Sequence, residues 1–181
     1  VILGFNVERD NDVASNDKVK IITNDIIYKI IEELELWQIQ QKDIMQAKAL
    51  DELTRPCKFE FMINHTFRQN NPAIIGCDII EGKLTTNTQV LKEGNIVGKV
   101  KSIQLDKENK REVTKNNQVA VSIDGVTVGR QLKEGEMLYT FIPENDFRKI
   151  KKLSKYLSKG EIQVLKEVAE IMRKNNPIWG V

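Results

Sequence analysis

Leu53-Thr54-Arg55-Pro56-Cys57-Lys58-Phe59-Glu60-Phe61-Met62-Ile63 is the stretch on which the fold turns. Before it, apolar residues recur at Ile26, Ile27, Ile30, Ile31, Leu34, Trp37, Ile44, Met45 and Leu50, with no Gly or Pro until Pro56, which is helical spacing. After it, Phe59, Phe61 and Ile63 alternate with Lys58, Glu60 and Met62, the pattern of a half-buried strand. A helix-forming half therefore meets a strand-forming half at Arg55-Pro56. The helix predicted over residues 24–53 would be about 45 Å long at about 1.5 Å per residue. Its first half has a wide apolar stripe, as if packed on a sheet, with Trp37 under that sheet. Its second half, Gln38-Ile39-Gln40-Gln41-Lys42-Asp43, is polar nearly all round and suits a helix bridging two bodies through solvent.

Towards the N-terminus, Val19-Lys20-Ile21-Ile22 is a β-branched run that ends at Thr23-Asn24-Asp25, residues whose oxygens can accept the orphan N–H groups of a helix start. Val1-Ile2-Leu3-Gly4-Phe5-Asn6-Val7 reads as a buried strand with no initiator Met before it, so the chain is expected to be part of something longer. The head thus reads strand, short helix, strand, long helix, the order of a parallel sheet covered by helices, of which only part is expected here.

Beyond the switch, polar clusters recur at 69–72, 81–83, 92–95, 106–109 and 115–117, and between them lie strand-like runs at 73–80, 89–91, 96–105, 118–123 and 137–142. Short strands at this spacing predict a closed antiparallel barrel. After Pro143 the period is helical again: Phe147, Ile150, Leu153 and Leu157 form one stripe, and Ile162, Leu165, Val168 or Ala169, and Met172 another. Ser158-Lys159-Gly160-Glu161 between them fits a capping box. The expected class is α/β plus all-β. Residues 1–37 are part of an α/β domain and 38–55 a connecting helix that begins near 24. Residues 56–142 form the barrel, and 143–181 a helical pair packed on it.

The 181 residues carry 28 Lys+Arg, 26 Asp+Glu, one His and two Cys, with 40% apolar content, enough for a core in each of two small bodies. Residues 1–55 hold 7 basic and 11 acidic side chains (−4), residues 56–145 hold 12 and 11 (+1), and residues 146–181 hold 9 and 4 (+5). An acidic head and a basic tail speak to partners rather than to fold. No apolar run approaches the roughly 20 residues of a membrane span, and a Lys/Arg-rich start followed by an apolar stretch is missing. Cys57 and Cys77 make neither a disulfide framework nor a four-ligand zinc site, and a reducing cytoplasm is the simplest setting.

A phosphate loop needs clustered glycines followed by Lys and Ser/Thr, and the ten glycines here stand apart in turns. The chain is expected to hold no cofactor and not to bind a nucleotide. His65 reads as a strand-end or surface residue, or as part of a catalytic site. Cys77 reads as a small buried hydrophobe or, beside Gly76, as a ligand-facing thiol. Glu32-Glu33 and Glu161/Glu167 read as solvated helix faces. In the tail, Arg148-Lys149, Lys151-Lys152, Lys155 and Lys159 interleave with Phe147, Ile150, Leu153 and Tyr156. Such a helix is a solvated face or a site for an acidic partner, and the shared apolar residues favour an acidic–apolar peptide over bare nucleic acid. Trp179 either staples the terminus to the barrel or helps line that groove.

The order of elements resembles the C-terminal half of archaeal and eukaryotic translation initiation factor 5B, relatives of bacterial initiation factor two. Ile2-Leu3-Gly4-Phe5-Asn6-Val7 and Lys20-Ile21-Ile22-Thr23-Asn24-Asp25-Ile26-Ile27-Tyr28 are similar to the family's third domain and the opening of its connecting helix. Pro56-Cys57-Lys58-Phe59, the stretch Gly94-Asn95-Ile96-Val97-Gly98-Lys99-Val100-Lys101-Ser102-Ile103-Gln104, and Val128-Gly129-Arg130 resemble its fourth domain, a translation-factor-type β-barrel. The resemblance implies a non-catalytic region of a GTPase that joins ribosomal subunits, with GTP and Mg held in an N-terminal domain outside this chain. It implies that the barrel contacts the acceptor end of methionyl initiator tRNA, for which the candidates are Arg68, Asn70, Gly76, Cys77, Gly129 and Arg130. It implies that the terminal helices receive the acidic–apolar C-terminal tail of translation initiation factor 1A. The candidates there are Lys149, Ile150, Lys152, Leu153, Lys155 and Tyr156, with Leu165, Met172 and Trp179. Two other readings stay open: an RNA- or ribosome-binding barrel of another translation factor, and an enzyme with Cys77 and His65 at its site.

Overall fold

The computed structural model describes residues 1–7 and 19–180; the short helix expected between the first two strands lies outside them. The chain forms two compact units, Val1–Lys48 and Ala49–Val181.

In the first unit, β1 (Ile2–Phe5) pairs in parallel with β2 (Ile21–Asn24), in the register Ile2↔Ile21 to Phe5↔Asn24. The parallel pairing is the one expected. The Asn24 amide oxygen accepts the Ile26 N–H at 3.0 Å, and α1 (Ile27–Asp51) follows as one continuous helix. Ile22 and Ile30 are buried, but the strand expected to be buried is not: Leu3 and Phe5 are about half exposed, as are Ile27 and Ile31. The two strands and one helix among the described residues of this unit bury too little surface to cover their own apolar groups. Trp37 is half-buried rather than core for the same reason. The residues from Ala49 onwards, Leu50 among them, belong to the second unit.

The second unit is built on six antiparallel strands: β3 (Cys57–Arg68), β4 (Ala73–Thr85), β5 (Gln89–Lys92), β6 (Asn95–Leu105), β9 (Gln118–Asp124) and β10 (Met137–Thr140). They follow one another as β3-β10-β5-β6-β9-β4, and the β3–β4 pairing closes the ring. Two short strands add to the outside, β7 (Glu108–Lys110) on β6 and β8 (Glu112–Thr114) on β4. Cys57, Phe59 and Phe61 on β3, with Ile75, Cys77 and Ile79 on β4, point inward and are fully buried. The alternation seen in the sequence is therefore the wall of a closed barrel. The turn expected at 81–83 is absent: Gly82 (φ +87°) sits inside β4 opposite Cys57, where a left-handed backbone that favours glycine keeps the strand going. The turn at 106–109 is likewise shorter than expected, because Glu108 already pairs with Leu105.

A second core lies under the C-terminal helices. It joins Leu91 and Ile142 of the barrel to Phe147 and Ile150 of α2 (Glu144–Lys152) and to Val164, Leu165, Val168 and Ala169 of α3 (Lys159–Asn175), with Leu50 and Trp179. A single 3₁₀ turn, Ser154–Tyr156, reverses the chain between the helices. The capping box is present: the Glu161 N–H donates to Ser158 Oγ at 3.2 Å, and the Ser158 N–H donates to Glu161 Oε2 at 2.9 Å. Glu161 is buried, and its other oxygen takes Arg55 Nε at 3.0 Å and Nη2 at 2.6 Å. That fork ties the residue before the barrel to the start of α3.

Candidate functional site

Two surfaces of the second unit gather candidate residues. The first is a rim of the barrel. Between Phe61↔Cys77 and Thr66↔Ile75, β3 advances five residues while β4 advances two, so β3 bulges outward there. Asn64 lies in the bulge with φ +60°, and its N–H donates to Glu134 Oε2 at 2.8 Å, while the Thr66 hydroxyl donates to Glu134 Oε1 at 2.8 Å. These two bonds, the backbone one first, hold the Glu134 carboxyl below its ordinary pKa. The Val128 N–H donates to the Gln69 carbonyl at 2.9 Å, which joins the turn carrying Gly129 and Arg130 to the loop carrying Arg68 and Asn70. All four of those candidates are exposed.

Gly76 and Cys77 are not on this surface. Cys77 points into the barrel with no exposure, and burial pushes its thiol far above the usual range. Gly76 does admit a close approach, but His65 takes the space: a Cβ at Gly76 would lie 2.7 Å from the His65 Cβ. His65 is exposed, with Nδ1 2.7 Å from the Ile63 carbonyl oxygen, which makes Nδ1 the protonated ring nitrogen. A buried, protonated thiol and a solvent-facing imidazole do not make a nucleophile–base pair.

The second surface is a cleft of about 320 Å³ between α2 and α3. Phe147, Ile162, Leu165 and Ala169 form its apolar floor. Lys151, Lys166 and Arg173 stand on its rim, with Glu170 as the acidic member. Of the residues expected to line a groove, Leu165 does so. Ile150 is fully buried and Trp179 is buried, its ring 4.6 Å from that of Phe147, so both support the cleft from below. Leu153, Tyr156 and Met172 pack against the second core, and Lys149, Lys152 and Lys155 face outward. Sequence reasoning missed Lys166 and Arg173, although their seven-residue spacing, two helical turns, places them on one face of α3. A second hollow, of about 500 Å³, lies between Tyr139 and Met137 of β10 and Ile171 of α3, with Lys92 and Glu136 paired at 2.8 Å on its edge.

The closed six-stranded barrel matches the fold of a translation-factor domain, and residues 55–139 match the family model "Elongation factor Tu domain 4". The helices on either side carry the likeness further. The chain is 37% identical to a probable translation initiation factor IF-2 from Methanocella arvoryzae, over 99% of this chain and 31% of that protein. It is 38% identical to the corresponding factor from Halobacterium salinarum, again over 99% of this chain and 31% of the other. The crystal structure of GDP-bound aIF5B from Aeropyrum pernix superposes with a TM-score of 0.73 at 35% identity, covering 90% of this chain and 28% of that one. Over almost its whole length the chain is therefore similar to a C-terminal fragment of the IF-2/aIF5B initiation factors. It spans about a third of the length of the curated relatives it matches.

Proposed function

We propose that this chain is the non-catalytic, partner-binding part of a cytoplasmic initiation GTPase that promotes ribosomal subunit joining. GTP and Mg would then be held by a domain outside it. The barrel rim at Arg68, Asn70, Gly129 and Arg130 contacts the acceptor end of methionyl initiator tRNA. The cleft between α2 and α3 receives the acidic–apolar C-terminal tail of translation initiation factor 1A. The observation that carries this reading is the cleft itself: an apolar floor under three cations and one carboxylate. An acidic peptide with apolar anchors matches both its shape and its charge, where a nucleic acid would leave the floor unused.

Titration of the chain with such a peptide, followed by Trp fluorescence, tests it, because Trp179 contacts Phe147 in the cleft floor. A saturable change is expected. Lys151→Glu with Lys166→Glu should weaken binding roughly ten-fold or more, about 1.4 kcal/mol or above, and added salt should weaken the parent complex. A flat titration would remove the proposed tail partner. The reading as an RNA- or ribosome-binding module of another translation factor draws on the exposed rim arginines alone.

A further inference from the structure

Both walls of the cleft between α2 and α3 are fastened to the same two adjacent residues, Thr54 and Arg55, where the chain leaves α1 and enters the barrel. The Thr54 hydroxyl donates to Asp146 Oδ2 at 3.5 Å, and Asp146 directly precedes Phe147, the first α2 residue of the cleft. Arg55 donates to Glu161 Oε1 from Nε at 3.0 Å and from Nη2 at 2.6 Å, and Glu161 directly precedes Ile162, the first α3 residue of the cleft. The two grips differ in strength. A hydroxyl contact at 3.5 Å is at the limit of a hydrogen bond, whereas the guanidinium and carboxylate are both charged and nearly buried, at 12% and 7% exposure. The remaining Arg55 nitrogen, Nη1, donates to Asp51 Oδ1 at 3.1 Å, at the end of α1. Leu50 beside it is buried in the same core as Phe147 and Leu165, and its carbonyl accepts the Leu53 N–H at 3.2 Å. The stretch Leu50–Arg55 thus holds one contact on each wall and one side chain in the core that carries the floor.

We propose that Thr54 and Arg55 are positioning residues for the cleft: they set the spacing of α2 and α3, and so couple a bound acidic–apolar segment to the last turn of α1. The inference rests on the reading of the cleft as a peptide site and adds the residues that control its affinity. Walls fixed before binding spare the complex the cost of ordering them. Coupling between two sites is reciprocal, so an occupied cleft steadies Leu50–Arg55 in return. Arg55 is the stronger control because Glu161 Oε2 also accepts the Ser158 N–H, so the carboxylate that caps α3 is the one the guanidinium holds. Loss of the guanidinium alone would leave that buried carboxylate without its counter-charge.

The test titrates the chain with a fluorescein-labelled acidic peptide that carries two leucines four residues apart, read by anisotropy. Arg55→Met combined with Glu161→Gln removes both charges, while glutamine still completes the capping box, so the fold is kept and the grip is lost. This double variant should bind the peptide roughly ten-fold more weakly. Arg55→Lys, which keeps the charge but not the fork, should fall between it and wild type. In hydrogen exchange, saturating peptide should slow the Leu53 amide roughly three-fold or more in wild type and leave it unchanged in the double variant. Equal affinity and an equal Leu53 response in wild type and a folded double variant would overturn the coupling and leave the cleft standing as a peptide site. A weaker complex with no Leu53 protection in wild type would make the Arg55 pair structural only, which overturns the proposal as well. No binding by wild type would remove both the coupling and the peptide site.

Discussion

Glu167 shows how much of this molecule is decided by single side chains on α3. Lys58 Nζ donates to its Oε2 at 3.0 Å and the Tyr139 hydroxyl to the same oxygen at 3.0 Å, with Gln163 on the other oxygen at 3.3 Å. Burial alone would raise this carboxyl, yet the bonds from Lys58, Tyr139 and Gln163 outweigh it and hold Glu167 below its ordinary 4.5. A lowered folded-state pKa means the stabilisation is complete above the ordinary glutamate range and is lost as pH falls through the folded value. Lys58 is the mirror case: its bond to Glu167 raises it above 10.5, so its share persists at neutral pH and fades only as pH climbs past that value. Both side chains are about a quarter exposed, so the pair is a modest contributor of about 1 kcal/mol. Glu167→Gln should lower the melting temperature at pH 7 and flatten its fall between about pH 5 and pH 3; an unaltered acid limb in a melting series would exclude the ion pair as its source. Gly76 and Cys77 belong to this scale as well. Their adjacency was legible as a place of close approach, but the sequence carried no sign that the chain's own His65 would occupy it.

At the scale of elements, α1 and β3 behave differently. The 25 residues of α1 run from Ile27 to Asp51 without Gly or Pro, so its existence and length followed from local propensity and apolar spacing. Bending such a helix means breaking backbone hydrogen bonds, and Gln41→Pro removes one and introduces a ring clash, at a cost of about 3 kcal/mol. That variant should keep the barrel and its ligand binding, since those residues lie in the second unit. If the proposed function holds, the same substitution in a full-length factor should slow subunit joining, measured by light scattering. Unchanged joining would count against a role in it for an unbroken α1. In β3 the alternation of Phe59 and Phe61 was legible, whereas the bulge at Asn64 was not. A register shift depends on what the neighbouring strand and the Glu134 side chain offer, and neither is adjacent in sequence.

At the scale of the whole molecule, the two units differ in how well they bury themselves. The second has a closed barrel and a helix-covered second core, with 0% exposure at Phe59, Phe61, Ile150 and Val168. Among its described residues the first buries only Ile22 of β2 and Ile30 of α1. Native-state hydrogen exchange should therefore show the Ile21–Asn24 amides exchanging at least a hundred-fold faster than those of Val119–Ile123, about 2.7 kcal/mol or more in opening free energy. Equal protection would mean the first unit is as cooperative as the barrel. The basic tail also changes meaning at this scale. Read along the chain it was a run of lysines on one short helix, but α2 turns Lys149 and Lys152 outward and only Lys151 to the cleft.

Period and composition by themselves determined a long helix, a barrel of short strands, a capped helical pair and a basic C-terminal segment. Each of these rests on interactions between residues a few positions apart. Only the tertiary structure decided which face each residue serves. It closed β3 on β4, seated His65 on Gly76, joined the Arg68 and Arg130 loops, and paired Lys166 and Arg173 with Lys151 across a cleft. Those contacts join residues that are not neighbours in sequence, and a linear pattern carries no record of which partner fills a given space.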